Sequence, residues 1–125
     1  AQGLAATHHK VAKAVKDLLT AAKPPTAICC FDYQTAILLI RCLVDLGLAP
    51  GKDLSVLGFD CPASVFFPRI TSIAQPAAEM GALAADLLLE RIANPKAKPR
   101  SLRLSAQLIA GETTGSPIRP PVKRA

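Results

Sequence analysis

Apolar and polar positions alternate along this 125-residue chain in three rhythms, and each rhythm predicts a different element. Val11, Ala14, Val15, Leu18, Leu19 and Ala22 recur at i, i+3, i+4, i+7 and i+8, the spacing of one helix face, while Lys10, Lys13 and Lys16 point away. Thr7 is placed to cap that helix and Pro24-Pro25 to end it. "TAICCF" is then a short unbroken apolar run between Pro25 and Asp32, which predicts a strand buried on both faces. "QTAILLIRCLVDLGLAPG" returns to the helical period with Ile37, Ile40, Val44 and Leu48 on one side, and Gly47 or Gly51 with Pro50 marks its end. "LSVLGF" is a second buried strand, so strand, helix and strand form a right-handed crossover unit with parallel strands.

Further on, "ITSIAQ" predicts a short extended segment, and Pro76 suits the first turn of a helix. That helix carries Met80, Leu83, Ala84, Leu87, Leu88 and Ile92 on one face and Glu79, Asp86 and Glu90 on the other, and Asn94-Pro95 stops it. In "LRLSAQLI" the third rhythm takes over: Leu102, Leu104, Ala106 and Leu108 alternate with Arg103, Ser105 and Gln107, as in a strand with one wet face. "GETTGSPIRPPVKRA" reads as a loose tail.

Composition narrows the class. Half the residues are apolar but only 4% are aromatic, so aliphatic side chains must fill the core of a single domain. No apolar run is long enough to span a bilayer, and the first ten residues lack the order of a signal peptide, so a cytoplasmic protein is expected, without membrane contact. The net charge of +6 lies entirely after Pro95, where seven basic residues face Glu112 alone. No aromatic platform accompanies that charge, and it reads as a solvated loop and basic tail rather than a nucleic-acid surface. Cys29, Cys30, Cys42 and Cys61 form no CxxC pair and read as buried, reduced thiols.

Candidate chemistry is confined to the strand ends. In an open parallel sheet, ligands bind outside the carboxyl ends of the strands, and the two buried strands run into Asp32 and Asp60. Either aspartate can be a ligand contact or simply the cap of the turn that follows. No nucleophile elbow, phosphate loop or dinucleotide fingerprint is present, and His8-His9 would point about 100° apart on a helix, a poor metal pair. Neither catalytic residues nor metal ligands nor a cofactor are expected, and the chain is not expected to be an enzyme.

The order of motifs resembles the lactose/galactose-repressor (LacI/GalR) family of transcription regulators. "PPTAICCFDYQTAILLIRCLVDLGL" is similar to the family's P-T-A-I-x-x-x-N/D-D stretch and the helix after it. "GKDLSVLGFDCPASVFFPRITSIAQPAAEMGALAADLLLERI" is similar to S-V-x-G-F-D-D, then T-T-I-x-Q-P, then M-G-x-x-A-x-x-L-L, and "LSAQLIAGETTG" to the closing motif. The resemblance implies an α/β, Rossmann-like lobe of the periplasmic-binding-protein type, incomplete, with residues 1–116 as a partial sensor domain and 117–125 as a basic, proline-rich tail. It implies a small-molecule effector, sugar-like or nucleobase-like, held by Asp32, Asp60 and Gln75. It also implies a homodimer partly built on the apolar loop Val65, Phe66 and Phe67, whose alternative reading is a core-facing loop. DNA would be reached only through a helix-turn-helix that this chain lacks. The helix carrying Met80 to Ile92 would lack the first lobe against which the family packs it. Two other readings stay open: a fragment of a periplasmic-type sugar-binding protein, and a dimerisation module without ligand. The chain departs from the family pattern at Tyr33, Cys61, Arg69-Ile70 and Gly111.

Overall fold

The computed structural model describes residues 2–61 and 68–117, with residues 2–8 as backbone alone. In chain order the elements are α1 (Gln2–Leu19), β1 (Ala27–Cys29), α2 (Tyr33–Asp45), β2 (Ser55–Phe59), β3 (Thr71–Ala74), α3 (Ala77–Ala93) and β4 (Gln107–Ile109). The strands form one sheet in the order β1-β2-β3-β4. β1, β2 and β3 are parallel, and β4 closes the edge antiparallel to β3. This is the expected α/β, parallel-dominated architecture.

The core lies on one face of the sheet. Val15 of α1 packs with Ala36, Leu39, Ile40 and Leu43 of α2 over Cys30, Val56 and Ile70. Leu43, Leu54 and Val56 are fully buried, and each contributes about 1.5–3 kcal/mol of transfer free energy. Along β2, Val56 and Gly58 face this core while Ser55, Leu57 and Phe59 are half-buried on the other side. Alternation is stronger still near β1: Cys30 is buried, whereas Ala27 and Cys29 are exposed. The expectation of strands buried on both faces is therefore wrong for β1. An unbroken apolar run does not say how many faces find a covering element, and α1 and α2 both lie over the same face.

Three other expectations are corrected. α1 begins at Gln2, so Thr7 lies inside it rather than capping it; the Leu and Ala residues before Thr7 are good helix formers and give the helix no reason to stop. α2 turns Ala36, Leu39, Ile40 and Leu43 inward, and Val44, assigned to the core face by its spacing, is 58% exposed. A helix apolar around most of its girth leaves its orientation to its neighbours. β4 is three residues long with every residue exposed, so the predicted eight-residue alternation is mostly not a strand. Gly47 does end α2 as expected, with φ +74° beyond the cap residue Leu46, while Leu48 N–H reaches back to Leu43 O at 2.9 Å.

Nor are residues 111–115 a loose tail; they are stitched into the sheet where β2 and β3 begin. Thr113 is fully buried. Its hydroxyl donates to Val56 O at 2.7 Å and accepts from Thr71 N at 3.0 Å, while its own carbonyl accepts from Val56 N at 2.7 Å. Glu112 and Arg69 exchange bonds alongside: Glu112 N donates to Arg69 O (2.6 Å) and Arg69 N to Glu112 Oε2 (3.0 Å). Gly111 N donates to Thr71 Oγ1 at 3.0 Å, and a Cβ at Gly111 would collide with the backbone of Arg69 to Thr71. Glycine therefore stands there because two backbones approach closely.

Replacing Thr113 by Val keeps its shape but strands the Thr71 amide and the Val56 carbonyl in the core. Each such group costs about 1–3 kcal/mol, so chemical denaturation should show a loss of roughly 2–5 kcal/mol for Thr113→Val and far less for Thr113→Ser. Equal losses for the two variants would mean that the hydroxyl bonds do not matter.

Candidate functional site

The carboxyl ends of β1, β2 and β3 lie side by side, and each runs into one of the polar residues singled out from sequence. β1 continues through Cys30 and Phe31 to Asp32, whose backbone is extended (φ −148°, ψ 170°) as the N-cap of α2. Its Oδ1 accepts from Thr35 N at 2.7 Å. This satisfies one of the four amides that a helix start leaves without partners, and places negative charge at the positive end of the helix dipole. One oxygen of Asp32 is thus committed to the fold.

β2 ends in a sharper device. Asp60 has φ +51°, the one non-glycine residue in the left-handed region among the described residues. Asp tolerates this conformation better than most residues because its short side chain finds local hydrogen bonds. Here those bonds go to the neighbouring strand's exit. Asp60 N donates to Ile73 O at 2.8 Å, Gln75 N donates to Asp60 Oδ1 at 2.8 Å, and Gln75 Nε2 donates to Asp60 Oδ2 at 2.6 Å. One step on, Cys61 N donates to Ser72 Oγ at 3.0 Å. The carboxylate therefore grips both the backbone and the side chain of Gln75 at the point where β3 leaves the sheet for Pro76 and α3. Both residues are exposed.

Of the residues predicted for this site, Asp60 and Gln75 are brought into direct contact, and Asp32 stands at the end of the adjoining strand pair. Val65, Phe66 and Phe67 lie outside the described residues. Phe31, which sequence reading passed over, sits beside Asp32 with 80% of its surface exposed. The signal was available: in a strand whose inward positions are Ile28 and Cys30, residue 31 must face outward. Tyr33 is also exposed, and Gln34 Nε2 approaches its hydroxyl at a long 3.4 Å.

Gln75 also forms the polar mouth of an apolar groove of about 360 Å³. Phe59 and Pro76 stand beside it, Met80, Leu83, Ala84 and Leu87 of α3 form one wall, and Leu102, Leu104 and Ala106 of the returning segment form the other. Arg91 donates to Ala97 O, and Arg100 pairs with Glu90 at 2.7 Å, which pins the return against the end of α3. No residue of α3 is buried; Leu88, Leu89 and Ile92 are 61–66% exposed.

Among the described residues no cluster of three or more His, Cys, Asp and Glu is placed to hold a metal ion, and no helix is long and apolar enough to cross a membrane. The Cys30 thiol, under the rim, is pushed up from 9.0 to about 11, first by burial and then by Cys29, Asp32 and Cys61 around it. Burial, and secondarily Asp45, also raises Cys42. Because Cys30 deprotonates later in the folded chain than in the unfolded one, the unfolded state binds fewer protons between these two values, and stability falls as pH rises from about 9 to about 11. Denaturation midpoints measured across that range should decline, and the decline should be shallower in Cys30→Ala.

The profile of the periplasmic binding protein-like domain matches residues 2–114. The ribose operon repressor of Haemophilus influenzae is 35% identical over 101 residues, which is 79% of this chain but 30% of that protein. A LacI family transcriptional regulator from Enterococcus faecium, solved with bound ribose, superposes with a TM-score of 0.73 at 28% identity, covering 90% of this chain and 42% of that one. A dimeric Lac repressor lacking 11 C-terminal residues gives 0.72 at 26% identity, with 89% and 41% coverage. The chain thus spans about a third of the curated relative and two-fifths of the solved structures.

Proposed function

Since this chain belongs to the periplasmic binding protein-like domain family, in the effector-binding region of LacI/GalR-type regulators, we propose that it is a small-molecule-sensing lobe of a cytoplasmic transcription regulator. The observation that carries this reading is the Asp60–Gln75 clamp at the carboxyl rim of the parallel sheet, with the exposed Phe31 and the α2 cap Asp32 just beyond the end of the adjoining β1. A sugar-like effector suits these groups. Vicinal hydroxyls can donate to carboxylate oxygens, the Gln75 amide both donates and accepts, and an aromatic face covers the apolar side of a sugar ring. The role is binding rather than catalysis, and DNA would be contacted through another part of a longer protein.

The unburied apolar face of α3 agrees with the same reading. A helix with leucines and an isoleucine left in water is a surface awaiting the rest of a sensor domain. We also propose a homodimer, in keeping with the dimeric repressor among the similar structures, with Val65, Phe66 and Phe67 at its contact.

The sensing role is tested by thermal unfolding with a panel of pentoses, hexoses and purine bases. At ligand concentrations of about 100 times Kd, binding to the native state alone adds about 2.7 kcal/mol, a rise in Tm of several degrees. Asp60→Asn puts an amide donor against the Gln75 amide and should remove that rise while the chain still unfolds cooperatively. A ligand that stabilises wild type and Asp60→Asn alike would place binding elsewhere. For the dimer, light scattering should give twice the chain mass for wild type and the monomer mass for Phe66→Ser/Phe67→Ser; an unchanged mass would move the interface off that loop.

A further inference from the structure

Two of the four cysteines stand where their separate roles in the core leave a joint one unexplained. Parallel pairing sets Cys29 opposite Leu57, so the next residue, Cys30, lies beside Gly58. Cys30 N donates to Leu57 O at 2.8 Å, which carries the pairing one step beyond the end of β1. Register partners in a sheet point to the same face, and for this pair it is the core face: Cys30 is buried there and Gly58 is buried beside it. Gly58 has no side chain, and the space is filled by the Sγ of Cys61, which returns under the sheet after the left-handed turn at Asp60. A Cβ at Gly58 would collide with that sulfur. Cys61 is half-buried and packs on the same cluster that contains Cys30.

The Cys61 sulfur thus lies against the Cβ position of Gly58, the residue beside Cys30 in the register, and adjoining strands are about 4.8 Å apart. A disulfide spans Cα separations of about 4.4–6.8 Å, so closure requires the two residues to come within that reach at the strand exit. Cys29 is exposed, and its neighbour Cys30 is turned to the core. Cys42 is buried within α2.

We propose that Cys30 and Cys61 form a redox-active dithiol that closes to a disulfide, tying the end of β1 to the end of β2 directly beneath Asp32 and Asp60. A peroxide is sufficient oxidant. The half-buried Cys61 sulfur, as the thiolate, attacks one peroxide oxygen; the S–O bond forms as the O–O bond breaks, leaving a sulfenic acid, and the departing hydroxide takes up the one proton that the thiol released and becomes water. The Cys30 sulfur then displaces the sulfenic oxygen; the S–S bond forms, and the Cys30 proton leaves with that oxygen as the second water. Two thiols and one hydrogen peroxide yield a disulfide and two waters, the sulfurs losing the two electrons that the peroxide gains. Burial pushes the Cys30 thiol up to about 11, so a larger share of it becomes the attacking thiolate, and the closing step accelerates, as pH rises toward that value.

The test uses the whole chain in a Cys29→Ser background, treated with hydrogen peroxide, alkylated after unfolding and digested with trypsin. Closure removes about 2 Da from the intact mass and joins the peptide 17–41, which carries Cys30, to the peptide 53–69, which carries Cys61. Cys42→Ser should leave that linkage intact, and Cys61→Ser should abolish it. Joined peptides at monomer mass would establish the bridge. Three results would overturn it: both thiols still alkylatable after peroxide, Cys61 driven to sulfinic acid while Cys30 stays free, or a linkage found only between chains.

Discussion

The hydroxyl of Thr113 holds together the half of the sheet on which everything else is mounted. It is a fully buried polar group from near the end of the described chain, and it bonds at once to a carbonyl of β2 and an amide of β3. Those two strands start apart, because the first register pair that β3 makes with β2 is Thr71 with Leu57. Above that point Val56 has no partner on β3, and the closing segment supplies one from its own backbone. An apolar side chain of the same size would fill the space and leave two polar groups dry, which is why a small side chain that both donates and accepts belongs here.

With β2 and β3 held at one end, their other ends are free to specialise. Asp60 turns the chain out of β2 in a left-handed conformation and spends both carboxylate oxygens on Gln75. The clamp fixes the direction in which the chain leaves β3 for α3, and it presents a polar pair on the rim without burying a charge. Asp32 does related work for α2 through one oxygen. Both carboxylates on this rim are therefore already ordered by the fold.

The molecule is unevenly finished. On one face of the sheet, α1 and α2 enclose a dry aliphatic core; beyond Gln75, α3 and the returning segment enclose only a groove, and α3 buries none of its residues. Leu88, Leu89 and Ile92 are left exposed along that helix.

How much of this could be read from residues alone differs element by element. The helical spacing in residues 11–19 and 80–92, the runs around Cys30 and Val56, and the Gly47 stop each depend on neighbours in sequence, and those elements stand where the pattern placed them. Motif order likewise pointed to the family that the comparisons then established. The pattern failed wherever the deciding contact was distant in sequence. Val44 lost its place in the core because α1 and the sheet chose the face of α2; the segment before β4 left the sheet because its alternate leucines line a groove instead. The closing Gly-Glu-Thr-Thr-Gly looked like a tail because its partners, Ser55 to Val56 and Arg69 to Thr71, lie some 40 to 60 residues earlier. At the site, sequence named Asp32, Asp60 and Gln75, while only the folded sheet could reveal that Asp60 and Gln75 grip one another and that Cys61 lies against Gly58 beside Cys30. Local periodicity sets which elements form, because helix and strand geometry repeats over a few residues. Which polar and thiol groups meet is a matter of strand order and register, and these exist only once the chain has closed on itself.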